Sequence, residues 1–89
     1  MLSTPISIVI PTKDGGRDFV HLCRHLAHLR IRHQLDVLVI DSGSTDGTAQ
    51  VAEQAGLRVR RIAPEKFGHG KTRNLGVRMA EGEIVCFLT

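Results

Sequence analysis

Residues 36–48 read Asp-Val-Leu-Val-Ile-Asp-Ser-Gly-Ser-Thr-Asp-Gly-Thr, and the fold is decided there. The four apolar residues Val37, Leu38, Val39 and Ile40, three of them β-branched, suit a strand covered on both faces, as in a parallel sheet. The run ends on an acid, Asp41, and small turn residues lead into a helical pattern. Ser44 or Thr45 is the expected N-cap of that helix, and the Asp46 carboxylate suits its positive end. Asp41 is thereby placed at the carboxyl end of a buried parallel strand, the rim where open α/β sheets bind ligands.

Upstream, residues 6–10 (Ile-Ser-Ile-Val-Ile) have strand character and are expected to stop at Pro11. The turn Thr-Lys-Asp-Gly-Gly follows at 12–16. Helical period then takes over, with Phe19, Leu22, Leu26 and Leu29 on one stripe. His21, His25 and His28 cluster on a flank of that helix, and the first two have the i, i+4 spacing of zinc ligands. No glutamate or cysteine joins them, since Cys23 points to the apolar side, so they are read as a solvated face.

Downstream, residues 48–55 make a short helix closed by Gly56, with Val51, Ala52 and Ala55 inward. Residues 57–62 (Leu-Arg-Val-Arg-Arg-Ile) carry three arginines, a charge density that belongs on an edge strand. A loop spans 64–70. A helix covers 71–80, with Leu75, Val77, Met79 and Ala80 as its apolar contacts. A last strand covers 83–88. The order βαβαβαβ with right-handed crossovers predicts an α/β three-layer sandwich, a parallel four-stranded sheet with helices on both faces, and the edge character of residues 57–62 fits the spatial order 3-2-1-4.

With 89 residues the chain is one small domain; a 42% apolar fraction and 24% charged residues are ordinary for a globular core, which argues against disorder. Cys23 and Cys86 both lie in apolar patterns without CxxC spacing, and are expected to be buried free thiols of a reducing compartment. Residues 1–5 lack the basic start and apolar stretch of a signal peptide, and the longest apolar run is far too short to span a bilayer. A cytoplasmic location follows as the expectation, with the cytoplasmic face of a membrane open to the full-length protein. The net charge of +3 favours phosphate-bearing ligands, whereas three aromatic residues, all Phe, suit single-stranded nucleic acid poorly.

Three loops should converge at the carboxyl rim: 11–16, 41–47 and 64–74. The candidates there are Pro11, Thr12, Lys13 and Asp14, then Asp41 and Ser44, then His69, Lys71, Arg73 and Asn74. In the third loop, flexible backbone, a helix N-terminus and cations suit phosphate oxygens. Asp41 would repel phosphate and is better suited to accepting bonds from a base or ribose. An acid for the nucleoside and cations for the diphosphate describe a nucleotide site.

Ile-Val-Ile-Pro-Thr at 8–12, Val-Ile-Asp-Ser-Gly-Ser-Thr-Asp-Gly-Thr at 39–48, and Arg-Asn-Leu-Gly at 73–76 with Ala-Glu-Gly-Glu at 80–83 resemble family 2 glycosyltransferases of GT-A fold. Phe-Gly-His-Gly at 67–70, Thr-Arg-Asn at 72–74 and Phe-Leu-Thr at 87–89 look like the rhamnosyltransferase-type branch. The resemblance implies that Thr12 lines the nucleobase pocket, that Asp41 binds base or ribose, and that Arg73 lies near base and phosphates. Ser44 and Asp46 would shape the second loop. Many relatives have Tyr-Asn where this chain has Lys13-Asp14, which removes the tyrosine that packs on the base. The family's metal-binding carboxylates and catalytic base normally follow the last strand seen here. The resemblance therefore implies that residues 1–89 are the nucleotide-sugar-binding part of a truncated GT-A domain. The full-length enzyme would transfer a sugar, with dTDP-rhamnose as a candidate donor, to a saccharide or lipid-linked acceptor, using a divalent metal (Mg or Mn) whose ligands are not in this chain. The apolar last strand, lacking a neighbour on one side, is expected to favour a homo-oligomer.

Rival readings are a P-loop-like nucleotide-binding domain at Gly-His-Gly-Lys-Thr (68–72), a sugar-nucleotide nucleotidyltransferase, and a non-enzymatic phosphate or nucleic-acid binder. The Walker spacing needs glycine where Glu65 stands. A nucleotidyltransferase needs more glycine after the first strand than Gly15 and Gly16. The basic binder rests on charge alone, including Arg58, Arg60 and Arg61, which an edge strand already explains.

Overall fold

The structure is a computed structural model that describes residues 6–88; residues 1–5 and Thr89, the last residue of the Phe-Leu-Thr phrase, lie outside them. The elements are β1 (Ile6–Thr12), α1 (Gly16–Arg32), β2 (Leu35–Asp41), α2 (Thr48–Gln54), β3 (Arg58–Arg61), a 3₁₀ turn (Pro64–Lys66), α3 (His69–Met79) and β4 (Ile84–Phe87). All pairings are parallel, as the βα alternation predicts, and the sheet order is β3-β2-β1-β4, as the edge character of 57–62 suggests.

Val37 to Ile40 are all buried, their side chains alternating between two cores. On one face Ile10, Val37 and Val39 pack with Phe19, Cys23 and Leu26 of α1 and Ala52 of α2. On the other, Val9, Leu38 and Ile40 pack beneath Leu75 and Met79 of α3. A strand covered on both sides needs apolar residues at every position, which is why the run is continuous.

Several local expectations change. Pro11 lies inside β1: β4 pairs with β1 only as far as Val9, so no neighbour on that side needs the missing N–H. Neither Ser44 nor Thr45 caps α2. Gly47 does, at φ +84°, and Asp46 Oδ1 accepts the Thr48 N–H at 3.0 Å. α3 starts at His69, two residues early, because extended Gly68 serves as its N-cap. Its buried face is Thr72, Leu75, Gly76 and Met79, which leaves Val77 54% exposed. Leu29 likewise leaves the α1 stripe, since Cys23 occupies that face. Burial pushes the Cys23 thiol up to about 11, which suits an inert core residue. Cys86, expected inside, is exposed on the edge strand β4, as is Ile84, and Leu88 just after the strand is exposed too. His21, His25 and His28 are exposed.

Gly76 marks the closest approach of α3 to the sheet. A Cβ there would stand 2.7 Å from Val9 Cγ1, in the floor of the core. Gly76→Val is expected to lose roughly 2 kcal/mol in urea unfolding, because overpacking outweighs the small gain in helix propensity.

Candidate functional site

The carboxyl ends of the strands open into a cavity of about 460 Å³. Each predicted loop supplies a wall. Pro11, Thr12 and Lys13 come from the end of β1 and its turn, and Ser42 from the turn after β2. Pro64, Phe67, His69, Thr72 and Arg73 come from the segment leading into α3, and Phe87 from β4. The walls are largely apolar, with two prolines and two phenylalanines. Their charged members are Lys13 and Arg73, and no acid is among them.

Aromatic contacts set two of the polar side chains. The Arg73 guanidinium lies over the Phe87 ring, 4.7 Å from its centroid, a cation–π contact that holds the charge at the cavity wall. Phe67 and His69 meet edge to face with centroids 5.1 Å apart. α3 turns its N-terminus to the same space without a side-chain cap, so its first amides carry partial positive charge there.

Of the ten predicted residues, Pro11, Thr12, Lys13, His69 and Arg73 are brought together on the cavity wall. Asp14, Asp41, Ser44, Lys71 and Asn74 are not part of that wall. Asp41 is 3% exposed at the end of β2, and its carboxylate is engaged by its own loop. Oδ2 accepts the Ser44 N–H at 3.0 Å, and Oδ1 accepts the Ser44 hydroxyl. Ser44 Oγ also accepts the Asp14 N–H at 2.7 Å, and Asp14 Oδ1 accepts the Thr45 N–H at 2.7 Å. Asp46 Oδ2 accepts the Gly16 N–H at 3.1 Å. The hydrogen bond from the Thr48 hydroxyl, with the Thr48 and Gly16 amides, holds the Asp46 carboxyl below the usual range. These acids lock the first loop to the second, and so fix where Thr12, Lys13 and Ser42 stand. Lys71 and Asn74 are exposed on α3.

The wall also contains Pro64, Phe67, Phe87, Ser42 and Thr72, which are not among the ten candidates, although all but Pro64 fall within the motif phrases. Phe67, 40% exposed beside a glycine-rich helix start, has no core to claim it, whereas Phe87 packs on the Val9, Leu38 and Ile40 core and also faces the cavity. At the opposite rim, Arg58 donates to Asp36 through Nε at 2.9 Å and Nη2 at 3.0 Å, and so is not merely a solvated edge cation. Arg61 is likewise paired, with Glu53. Two of the arginines behind the basic-binder reading are thus already engaged by carboxylates.

A model of the family described as Glycosyl transferase family 2 matches residues 7–89. This chain belongs to that family. The chain is 32% identical over 87 residues to the Staphylococcus aureus poly(ribitol-phosphate) beta-N-acetylglucosaminyltransferase TarS, covering 92% of this chain and 15% of TarS. With the O-antigen chain rhamnosyltransferase WbaN of Salmonella anatum it shares 31% over 84 residues, 93% of this chain and 27% of WbaN. The chain thus spans less than a third of either relative. The crystal structure of TarS 1–349 with UDP-GlcNAc superposes with a TM-score of 0.76 at 30% identity, covering 94% of this chain and 26% of that one. Glucosyl-3-phosphoglycerate synthase of Mycobacterium tuberculosis, crystallised with Mn²⁺, UDP and glucosyl-3-phosphoglycerate, superposes at 0.73 with 27% identity, covering 97% of this chain and 33% of that one. The parallel sheet and its neighbours are those of the GT-A fold. Family 2 membership removes the P-loop and nucleotidyltransferase readings. Among the described residues no helix is long and apolar enough to cross a membrane.

Proposed function

We propose that this chain is the donor-binding part of a nucleotide-sugar-dependent glycosyltransferase, and that the cavity holds the nucleoside diphosphate. The observation that carries this reading is the cavity itself: apolar and aromatic walls with Lys13, Arg73 and a helix N-terminus, and no acid facing inward. A planar base suits Pro11, Phe67 and Phe87, which take over the apolar role that Tyr-Asn plays in relatives. The diphosphate suits Lys13, Arg73 and the first amides of α3. Asp41, off the wall, would serve the site by holding Ser44 and through it the first loop.

The whole protein would transfer the sugar to an acceptor hydroxyl, forming a new glycosidic C–O bond while the bond to the diphosphate breaks. The likeness to WbaN supports a rhamnosyl donor such as dTDP-rhamnose and a saccharide or lipid-linked acceptor; the likeness to TarS supports a UDP-sugar. A divalent metal offsets charge on such a leaving group. Among the described residues no three His, Cys, Asp or Glu side chains come together to hold one.

Isothermal titration of the chain with UDP and dTDP tests the reading. Saturable binding that weakens steeply with salt is expected. Failure to bind either nucleotide at millimolar concentration would remove it.

A further inference from the structure

Thr72 sits on the cavity wall in the first turn of α3 and is 2% exposed, yet its hydroxyl oxygen, buried, has no hydrogen-bond partner among the described residues. Such orphans are uncommon in folded proteins and need an explanation. A helical threonine ordinarily donates back to the carbonyl four residues earlier. That carbonyl belongs to Gly68, and it accepts the Thr72 N–H at 2.8 Å, but the Thr72 hydroxyl makes no bond to it.

The surroundings say what could satisfy the hydroxyl. The helix start carries no side-chain cap. A Cβ added at Gly70 would meet nothing within 4 Å, so the turn is open to an approaching group. The next residue, Arg73, is held on Phe87 at the same wall. A hydroxyl, unpaired amides and a guanidinium together favour an acceptor-only, negatively charged oxygen.

We propose that Thr72 donates its hydroxyl hydrogen bond to a diphosphate oxygen of the bound nucleotide, a contact that rests on the nucleotide reading of the cavity. Threonine in a helix has two χ1 rotamers open to it, and the contact requires the hydroxyl to turn from its buried position toward the cavity wall. The hydroxyl is held without a partner in the free chain and gains one in the complex.

Three chains test this by NMR titration with UDP and with uridine, and by thermal unfolding: wild type, Thr72→Val and Thr72→Ser. Valine keeps the shape and removes the hydroxyl. Thr72→Val is expected to weaken UDP about tenfold, the worth of a hydrogen bond to a charged group, and to leave uridine affinity unchanged. Its melting temperature should equal or exceed that of the wild type, because an unsatisfied polar atom has been removed. Thr72→Ser should restore UDP affinity. Unchanged UDP affinity in Thr72→Val overturns the proposal, and so does an equal loss for UDP and uridine. A lowered melting temperature in Thr72→Val would mark the hydroxyl as structural and overturn it as well. If the wild type binds no UDP, the nucleotide reading fails and takes this contact with it; normal wild-type binding with an indifferent Thr72→Val removes the contact alone.

Discussion

Asp36→Ala is expected to lower the stability of the chain by about 3 kcal/mol, read as a shift of the urea midpoint at unchanged m-value. Asp36 opens the stretch that decides the fold but has no assigned role there, yet its carboxylate is where four chain segments meet. Oδ2 accepts from the fully buried Ser7 hydroxyl at 2.7 Å, from the Glu81 N–H at 3.0 Å and from Arg58 Nη2, while Oδ1 accepts from Arg58 Nε. The same guanidinium donates to the Met79 carbonyl at 2.8 Å, and Ser7 Oγ accepts the Gly82 N–H at 2.8 Å. Alanine would leave a half-buried arginine, a buried hydroxyl and a backbone N–H without their acceptor. Arg58 retains some access to water, its side chain being 36% exposed, and that screening keeps the figure at the lower end for a broken ion pair.

The same carboxylate should govern part of the acid limb. Burial pushes the Asp36 pKa up, but the hydrogen bonds from Arg58, the Glu81 amide and Ser7, with the Arg58 charge, outweigh it and hold the folded value below the ordinary 3.8. A depressed folded value means that the stabilisation is complete above the unfolded pKa and is lost as pH falls through the folded one. Wild-type stability should therefore drop below about pH 4, and Asp36→Ala should flatten that drop. Asp46 and Glu53, depressed through Thr48 and Arg61 respectively, leave a residual slope. A variant as acid-sensitive as the wild type would exclude Asp36 from this role.

Arg73→Ala should weaken UDP by roughly tenfold to a hundredfold while changing stability little. Arg73 is exposed and rests on a ring rather than on an acid, so little in the free fold depends on it. Its guanidinium is oriented before the ligand arrives, which spares the complex much of the entropy of ordering a long side chain. Arg73→Lys should recover only part of the affinity, since an ammonium neither stacks on Phe87 as a plane nor forks to two phosphate oxygens. Equal UDP affinity in wild type and Arg73→Ala would sink the assignment of the cations to the diphosphate.

Much of this was legible in one dimension. The continuous apolar run at 37–40 announced a strand covered on two faces, residues 6–10 announced a second strand, and the arginine-rich segment near 57–62 announced an edge. The wall residues Thr12, Lys13 and Arg73 were found because loops after parallel strands must share a rim. Other placements differ for nameable reasons. Ser44 looks like a helix cap and instead joins Asp14 to Asp41. Cys86 looks like core and lies on an outer strand. Val77 looks inward because a helical wheel cannot say which stripe the sheet will cover.

From its order of elements and the charge of its third strand, the chain determined a parallel 3-2-1-4 sheet with loops gathered at one end, because periodicity, charge pattern and turn chemistry are written between near neighbours. Tertiary structure alone decided which acid takes which partner. Asp14 finds Ser44 thirty positions away, Asp36 finds Arg58 twenty-two away, and Gly82 finds Ser7 seventy-five away. Hydrogen bonds reach about 3 Å whatever the separation along the chain, so these choices exist only once the sheet has brought its rims together.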